Sequence, residues 1–194
     1  MKFLIAGLGS IGCRHLRNLI SLGERDIILY RSKLSNLVNN EFKEFLVETN
    51  INLALEHKPD AVIISNPTSL HLDVAIPAAE AGCHILLEKP ISNSSERIND
   101  LKLALQRGGS KILVGFQYRF HPTLKIAARI LSNGDIGNPV SARAHWGEYL
   151  PDWHTLEDFH NSYSARVDLG GGVVLTLCHP IDYLSWLLGK PKFI

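Results

Sequence analysis

Scarcities in this sequence exclude several classes of protein. Cysteine occurs three times, at Cys13, Cys83 and Cys178, far apart and without a C-x-x-C pair. No disulfide framework follows, and each reads as a small buried hydrophobe in a reducing compartment. Charge of one sign is scarce too, since 20 Lys plus Arg oppose 19 Asp plus Glu, leaving no polycationic face for nucleic acid and no acidic tail. No run approaches the ~18 apolar residues of a membrane span. The stretch from Lys2 to Cys13 resembles a signal peptide ending in a lipid-modified cysteine, but it carries one Lys and leads at once into Arg14, His15 and Arg17 of an amphipathic helix. Repeats, low-complexity tracts and charge blocks are absent. The expectation is a cytoplasmic protein whose partner is a small molecule, not nucleic acid or a membrane.

What is present fits a packed α/β protein: 194 residues, 45% hydrophobic and 20% charged, with 15 Gly and 9 Pro. At ~150 residues per domain the length allows one large domain or two modest ones. The first half alternates short apolar runs with helical periodicity, the pattern of βαβ units and a parallel, doubly wound sheet. Strands are predicted over 2–6, 26–31, 61–65, 84–87 and 111–116. Helices are predicted over 11–22, 52–57, 69–81 and 94–106, each closed by Gly or Pro. Hydroxyls at Thr68 and Ser69, or in the run 92–95, are candidate N-caps, with Glu96 early in the last helix. Beyond about residue 118 the rhythm changes to a helix over 122–131, a turn at 133–135, a strand over 139–148, an irregular aromatic stretch over 149–166, and a triple glycine before a helix ending near Leu188. The boundary falls at 116–122, giving a domain 1–118 and a second, 119–194.

Gly7-Leu8-Gly9-Ser10-Ile11-Gly12 fits G-x-G-x-x-G between a predicted strand and a predicted helix, the context the motif requires. Gly7 allows the tight turn, Gly9 lets a pyrophosphate approach the backbone, and Gly12 lets helix pack on strand. The helix N-terminus at Ser10 and Ile11 offers free N–H groups. The alternative is a Gly-rich turn with no ligand. The second strand ends Tyr30-Arg31-Ser32-Lys33 without the acid that would bind a ribose 2′-hydroxyl. Arg31, Ser32 and Lys33 fit a 2′-phosphate, favouring NADP(H) over NAD(H), unless they form only a solvated basic turn. Glu88-Lys89-Pro90 closes another strand on the ligand side of such a sheet. Pro90 keeps Lys89 extended, so Lys89 points toward bound nicotinamide and becomes a candidate proton-transfer group.

Together with Gln117-Tyr118-Arg119-Phe120-His121-Pro122, and with Gly170-Gly171-Gly172 followed by His179-Pro180-Ile181-Asp182, these motifs resemble, in order along the whole chain, the Gfo/Idh/MocA family of glucose-fructose oxidoreductases, inositol dehydrogenases and rhizopine catabolism proteins. The resemblance implies a nicotinamide-dependent oxidoreductase acting on a sugar, cyclitol or sugar derivative, with full-length relatives as homo-oligomers. It implies that Lys89 sits between nicotinamide and substrate and that Asn66 and Pro67 line the nicotinamide crevice beside Glu88. His71 and Arg119 would border the same pocket, and His179 is the residue expected to transfer the proton. The sequence departs from the family at one point: Thr176 stands where an acid is usual, and His179 follows three residues later instead of four. Asp182 is a candidate substitute. Thr176, His179 and Asp182, spaced three apart, would share one helix face.

In the reaction so implied, hydride moves between a carbinol carbon and nicotinamide, while His179 exchanges the hydroxyl proton and Lys89 polarises the oxygen. The segment from Trp146 through Trp153 to His160 is rich in rings and carboxylates, and reads as a sugar-binding loop or an ordinary packed or subunit-contact loop. A metal set of Asp152, His154, Asp158 and His160 matches no ligand spacing, so no metal is expected. With HPIDYLSWLLG, the segment is similar to relatives associated with surface-polysaccharide sugars, pointing to a nucleotide sugar or nonulosonic acid. Two other functions stay open: an NAD-dependent glycoside hydrolase of the same fold, and a dinucleotide-binding fragment without catalysis. The resemblance also implies further antiparallel strands beyond residue 194, so the second domain is expected to be an incomplete α+β unit.

Overall fold

The computed structural model describes residues 1–31, 42–153 and 158–192. The chain divides into two units, the first comprising Met1–Gly115 with Asp168–Gly170, the second Phe116–Val167 with Gly171–Ile194.

The first unit is a six-stranded parallel sheet. Its strands are β1 (Phe3–Ala6), β2 (Ile27–Tyr30), β3 (Leu46–Glu48), β4 (Ala61–Ile64), β5 (His84–Leu87) and β6 (Ile112–Val114), in the order β3-β2-β1-β4-β5-β6. Helices α1 (Ser10–Ser21), α2 (Ile51–Glu56), α3 (His71–Glu80) and α4 (Ile98–Gly108) connect them. Alternation along the strands sends side chains to opposite faces. Leu4, Ala6, Val62, Ile64, Ile85 and Leu87 pack with α3 and α4, while Ile5, Ile27, Leu29 and Ile63 pack with Cys13, Leu16 and Leu19 of α1. Both faces are covered, so the strands read as continuous apolar runs.

Two local features differ from the sequence expectation. Strand β3 was not expected, because it is three residues long and its Leu46 and Val47 are exposed. Pairing of Ile28 with Leu46 and Tyr30 with Glu48 makes it a strand, not a periodicity of its own. Helix α4 begins at Ile98 instead of residue 94. The Ser92 hydroxyl accepts from the Ser94 N–H and the Ser94 hydroxyl from the Glu96 N–H, at 3.2 and 3.1 Å, so these side chains stabilise a turn ahead of the helix. Asp100, not Glu96, is the acid of its first turn.

The second unit holds α5 (Pro122–Asn133), α6 (Val173–Thr176) and α7 (His179–Leu188), with short 3-10 turns between. The strand expected over 139–148 does not form among the described residues, and the expected antiparallel sheet is likewise absent there. The alternation of Val140, Ala142, Ala144 and Trp146 suits an extended chain. A strand also needs a ladder, and residues 139–148 pair with no described strand. Residues 192–194, a further strand candidate in the sequence, lie mostly outside the described residues.

Candidate functional site

The carboxyl ends of the strands form a continuous rim. The Gly7 N–H donates to the Tyr30 carbonyl, Ser65 N–H to Ala6, Glu88 N–H to Ile64, and Gly115 N–H to Leu87, at 2.8–3.0 Å. This ladder sets the Gly-rich turn, Asn66 and the Glu88-Lys89-Pro90 loop side by side. Strand order reverses between β1 and β4, where open α/β sheets leave a ligand crevice.

The glycines of the turn differ in what surrounds them. A Cβ on Gly12 would lie 1.9 Å from the Gly7 carbonyl oxygen, and one on Gly7, at φ +93°, would lie 2.5 Å from the Asn66 nitrogen. Those two positions exclude side chains because backbone packs on backbone. Around Gly9, among the described residues beyond its own chain neighbours, nothing lies within 4 Å of such an atom. This glycine leaves room for a ligand, not for a neighbour. Gly9 is also the N-cap of α1 and supplies no side-chain cap; Ser10 and Ile11 begin a helix with no acid in its first turn. The cradle fits a pyrophosphate. Close by, Asn66 donates from Nδ2 to the Leu70 carbonyl at 3.1 Å, while its buried Oδ1 has no hydrogen-bond partner among the described residues. That is a further polar group suited to a ligand amide. Pro67 precedes the turn Thr68–Leu70. Arg31 follows β2 and its N–H donates to the Glu48 carbonyl at 3.1 Å. Ser32 and Lys33 lie outside the described residues.

Glu88 faces back toward α1. His15 Nε2 lies 2.9 Å from its Oε1. Burial acts to raise the Glu88 carboxyl, but the hydrogen bond and charge of His15, with the amide and charge of Lys89, outweigh it and leave it below the ordinary carboxylate range. His71 is 1% exposed. Its Nδ1 lies 2.8 Å from the Pro90 carbonyl oxygen and its Nε2 3.0 Å from that of Asn66. The ring therefore meets main chain on both edges.

In the second unit, His179 is the first residue of α7 and is buried. Its ring stacks on Trp146 with centroids 5.7 Å apart and meets Tyr118 at 4.8 Å and Phe116 at 6.2 Å. Its Nε2 lies 3.3 Å from Gln117 Nε2, a contact in which the amide N–H donates to an unprotonated ring nitrogen. Arg119 grips Asp182. The single helix face expected for Thr176, His179 and Asp182 is not formed. Thr176 ends α6, the helix is interrupted at Leu177 and Cys178, and α7 starts afresh at His179 with Pro180 in its first turn; proline suits a helix start and cannot continue the ladder from α6.

Trp153 lies just after the 3-10 turn Leu150–Asp152, and its indole N–H is buried with no acceptor among the described residues. His160 Nδ1 lies 2.8 Å from Asp158 Oδ1, and His154 falls outside the described residues. The pair holds the Asp158 carboxyl below its ordinary range. A groove of about 740 Å³ lined by Ala128, Leu131, Val140 and Trp186 sits at the C-terminal end of α7. It is at the other end of that helix from His179. The sequence carries no signal that pairs Gln117 and Trp146 with His179: Gln117 stands there only as part of its motif, and such a contact is fixed only once the turn at Gln117–Phe120 and α7 are packed.

Comparisons with known proteins bear on the fold and the family. A family model described as an oxidoreductase family with an NAD-binding Rossmann fold matches residues 1–116, and one described as the GFO/IDH/MocA C-terminal domain matches residues 124–194. The scyllo-inositol 2-dehydrogenase (NAD(+)) of Bacillus subtilis is 32% identical over 145 residues, covering 72% of this chain and 42% of that protein. The D-xylose 1-dehydrogenase (NADP(+)) 2 of Haloferax volcanii is 27% identical over 198 residues, covering 98% of this chain and 58% of that protein. The crystal structure of myo-inositol 2-dehydrogenase from Lactobacillus plantarum shares the fold with a TM-score of 0.81 at 24% identity, covering 97% of this chain and 56% of that one. The chain thus spans about half the length of the relatives it matches. Among the described residues no single helix is long and apolar enough to cross a membrane.

Proposed function

Because the chain belongs to the Gfo/Idh/MocA oxidoreductase family, with its NAD-binding Rossmann fold, we propose that it serves an NADP(H)-preferring oxidation or reduction at a carbinol or keto carbon of a sugar, cyclitol or nucleotide-sugar derivative. One observation carries the reading: the carboxyl rim sets an open, glycine-lined helix N-terminus beside Asn66 and the loop bearing Lys89. A nicotinamide dinucleotide, when bound, supplies the hydride acceptor or donor.

The chain's own residues do the rest. Gly9, Ser10 and Ile11 present main-chain N–H groups to the pyrophosphate, and the helix dipole adds to their pull. Arg31 meets the adenosine ribose end, where its guanidinium favours a 2′-phosphate. Asn66 offers its buried Oδ1 to a donor. Lys89 polarises the substrate oxygen. His179 is the base: its contact with the Gln117 amide marks Nε2 as the unprotonated nitrogen, the substrate hydroxyl takes over that lone pair from the amide, and Trp146 and Tyr118 orient the ring.

The test is a fluorescence titration with NADPH and NADH, followed by turnover assays across polyols, aldoses and nucleotide sugars. Lys89→Ala should abolish turnover and leave NADPH binding near normal. Unchanged turnover removes Lys89 from the reaction. A cofactor that stays bound while a glycoside is cleaved, with no net change in nicotinamide absorbance, replaces the oxidoreductase reading with hydrolysis.

A further inference from the structure

The loop bearing Lys89 is held on both sides by side chains from different helices. On one side His15 of α1 meets the Glu88 carboxylate at 2.9 Å. On the other, His71 at the start of α3 meets the Pro90 carbonyl oxygen at 2.8 Å. Glu88 is the last residue here whose N–H joins the ladder to β4, and Pro90 has no N–H to offer. Past Glu88, the His71 side chain supplies an anchor at the Pro90 carbonyl. His71 is enclosed, at 1% exposure, and its other nitrogen lies 3.0 Å from the carbonyl oxygen of Asn66, the residue that follows the rim position Ser65.

We propose that His71 is a positioning residue: it donates from Nδ1 to the Pro90 carbonyl and so fixes Lys89 for its role. The inference rests on the assignment of Lys89 above. A neutral imidazole has one N–H, so it can serve only one of two carbonyl acceptors. The shorter contact is to Pro90. His71 therefore acts on cofactor and substrate through the Lys89 loop and touches neither.

Two substitutions separate the edges of the ring. The amide nitrogen of Asn reaches the place of Nδ1, and that of Gln the place of Nε2. His71→Asn retains the donor facing Pro90, and His71→Gln retains only the one facing Asn66. The readout is the NMR signal of Lys89 after reductive methylation with 13C-formaldehyde, assigned by its loss in Lys89→Arg and recorded with and without NADP(+). We expect the Lys89 signal of the free protein to keep its position in His71→Asn and to shift and broaden in His71→Gln, with NADP(+) affinity within about twofold of wild type in both. In turnover, His71→Gln should lower kcat by up to the order of a hundredfold, with little change in KM.

An undisturbed Lys89 signal in His71→Gln, or equal disturbance by Asn and Gln, overturns the proposal and leaves His71 a packing residue. The 15N long-range spectrum of His71 in the unmodified protein gives an answer independent of variant folding. A proton on Nδ1 supports the proposal, and a proton on Nε2 alone overturns it. If NADP(+) leaves the wild-type Lys89 signal unmoved, the function assigned to Lys89 fails. The free-protein spectra still decide the role of His71.

Discussion

Arg119 holds Asp182 in a forked grip, with Nε 2.9 Å from Oδ2 and Nη2 2.6 Å from Oδ1. The carboxylate is nearly enclosed, at 9% side-chain exposure, and the guanidinium is half open. This pairing raises the Arg119 guanidinium above its already high ordinary value. It also commits Asp182 to a structural partner, which disfavours Asp182 as a replacement for the acid that Thr176 displaces.

Asp182→Asn should therefore act on stability more than on chemistry. Removing a charge-assisted fork at a site open on one side costs on the order of 1 kcal/mol, read as a lower urea midpoint. Turnover should fall less than in His179→Ala. A variant as inactive as His179→Ala, with an unchanged midpoint, would place Asp182 in the proton path.

Gly9 and Gly12 make opposite predictions from the same motif. At Gly12 an added methyl meets backbone at 1.9 Å, so Gly12→Ala should lower the melting temperature, with a cost of roughly 1–3 kcal/mol or more for overpacking. At Gly9 none of the described residues beyond its chain neighbours stands within 4 Å of the added methyl. Gly9→Ala should melt like the wild type and yet bind NADPH at least about tenfold more weakly, because the methyl occupies the approach to the pyrophosphate. Normal NADPH binding by Gly9→Ala counts against the cradle.

The cofactor preference turns on Arg31. Arg31→Ala should weaken NADPH binding about tenfold and change NADH binding less than about twofold, since only the former carries a 2′-phosphate for the guanidinium. Equal loss for both would make Arg31 a general contact, and tighter NADH than NADPH binding in the wild type would reverse the assignment.

His71 predicts a pH dependence of stability. Burial lowers its pKa from the ordinary imidazole value, more strongly than the carbonyls of Pro90 and Asn66, the Ile91 main chain and the Glu88 charge raise it. The unfolded chain then binds more protons between the depressed value and ~6.5, so stability falls as pH drops through that window. Melting curves from pH 7.5 to 5.5 should show this loss in the wild type and a shallower slope in His71→Gln. A wild-type protein that gains stability over that range, relative to the variant, would mean a charged ring in the fold.

Where sterics are local, the sequence was sufficient. The fingerprint could be read because three glycines spaced two and three apart mark a turn, an approach and a close packing, and each spacing is set within six residues. The apolar runs of β1, β2, β4 and β5 announced a sheet covered on both faces. The Glu88-Lys89-Pro90 loop followed from a strand end and a proline. Tertiary structure decided what depends on partners distant in the chain. Leu46–Glu48 is a strand because β2 offers it an edge, and 139–148 is not, since alternation extends a backbone without choosing its neighbour. Thr176 and His179 belong to separate helices although their spacing suits one. His71, expected to border the pocket, has a main-chain carbonyl at each ring nitrogen because the turn before α3 brings Asn66 within reach and the end of β5 brings Pro90.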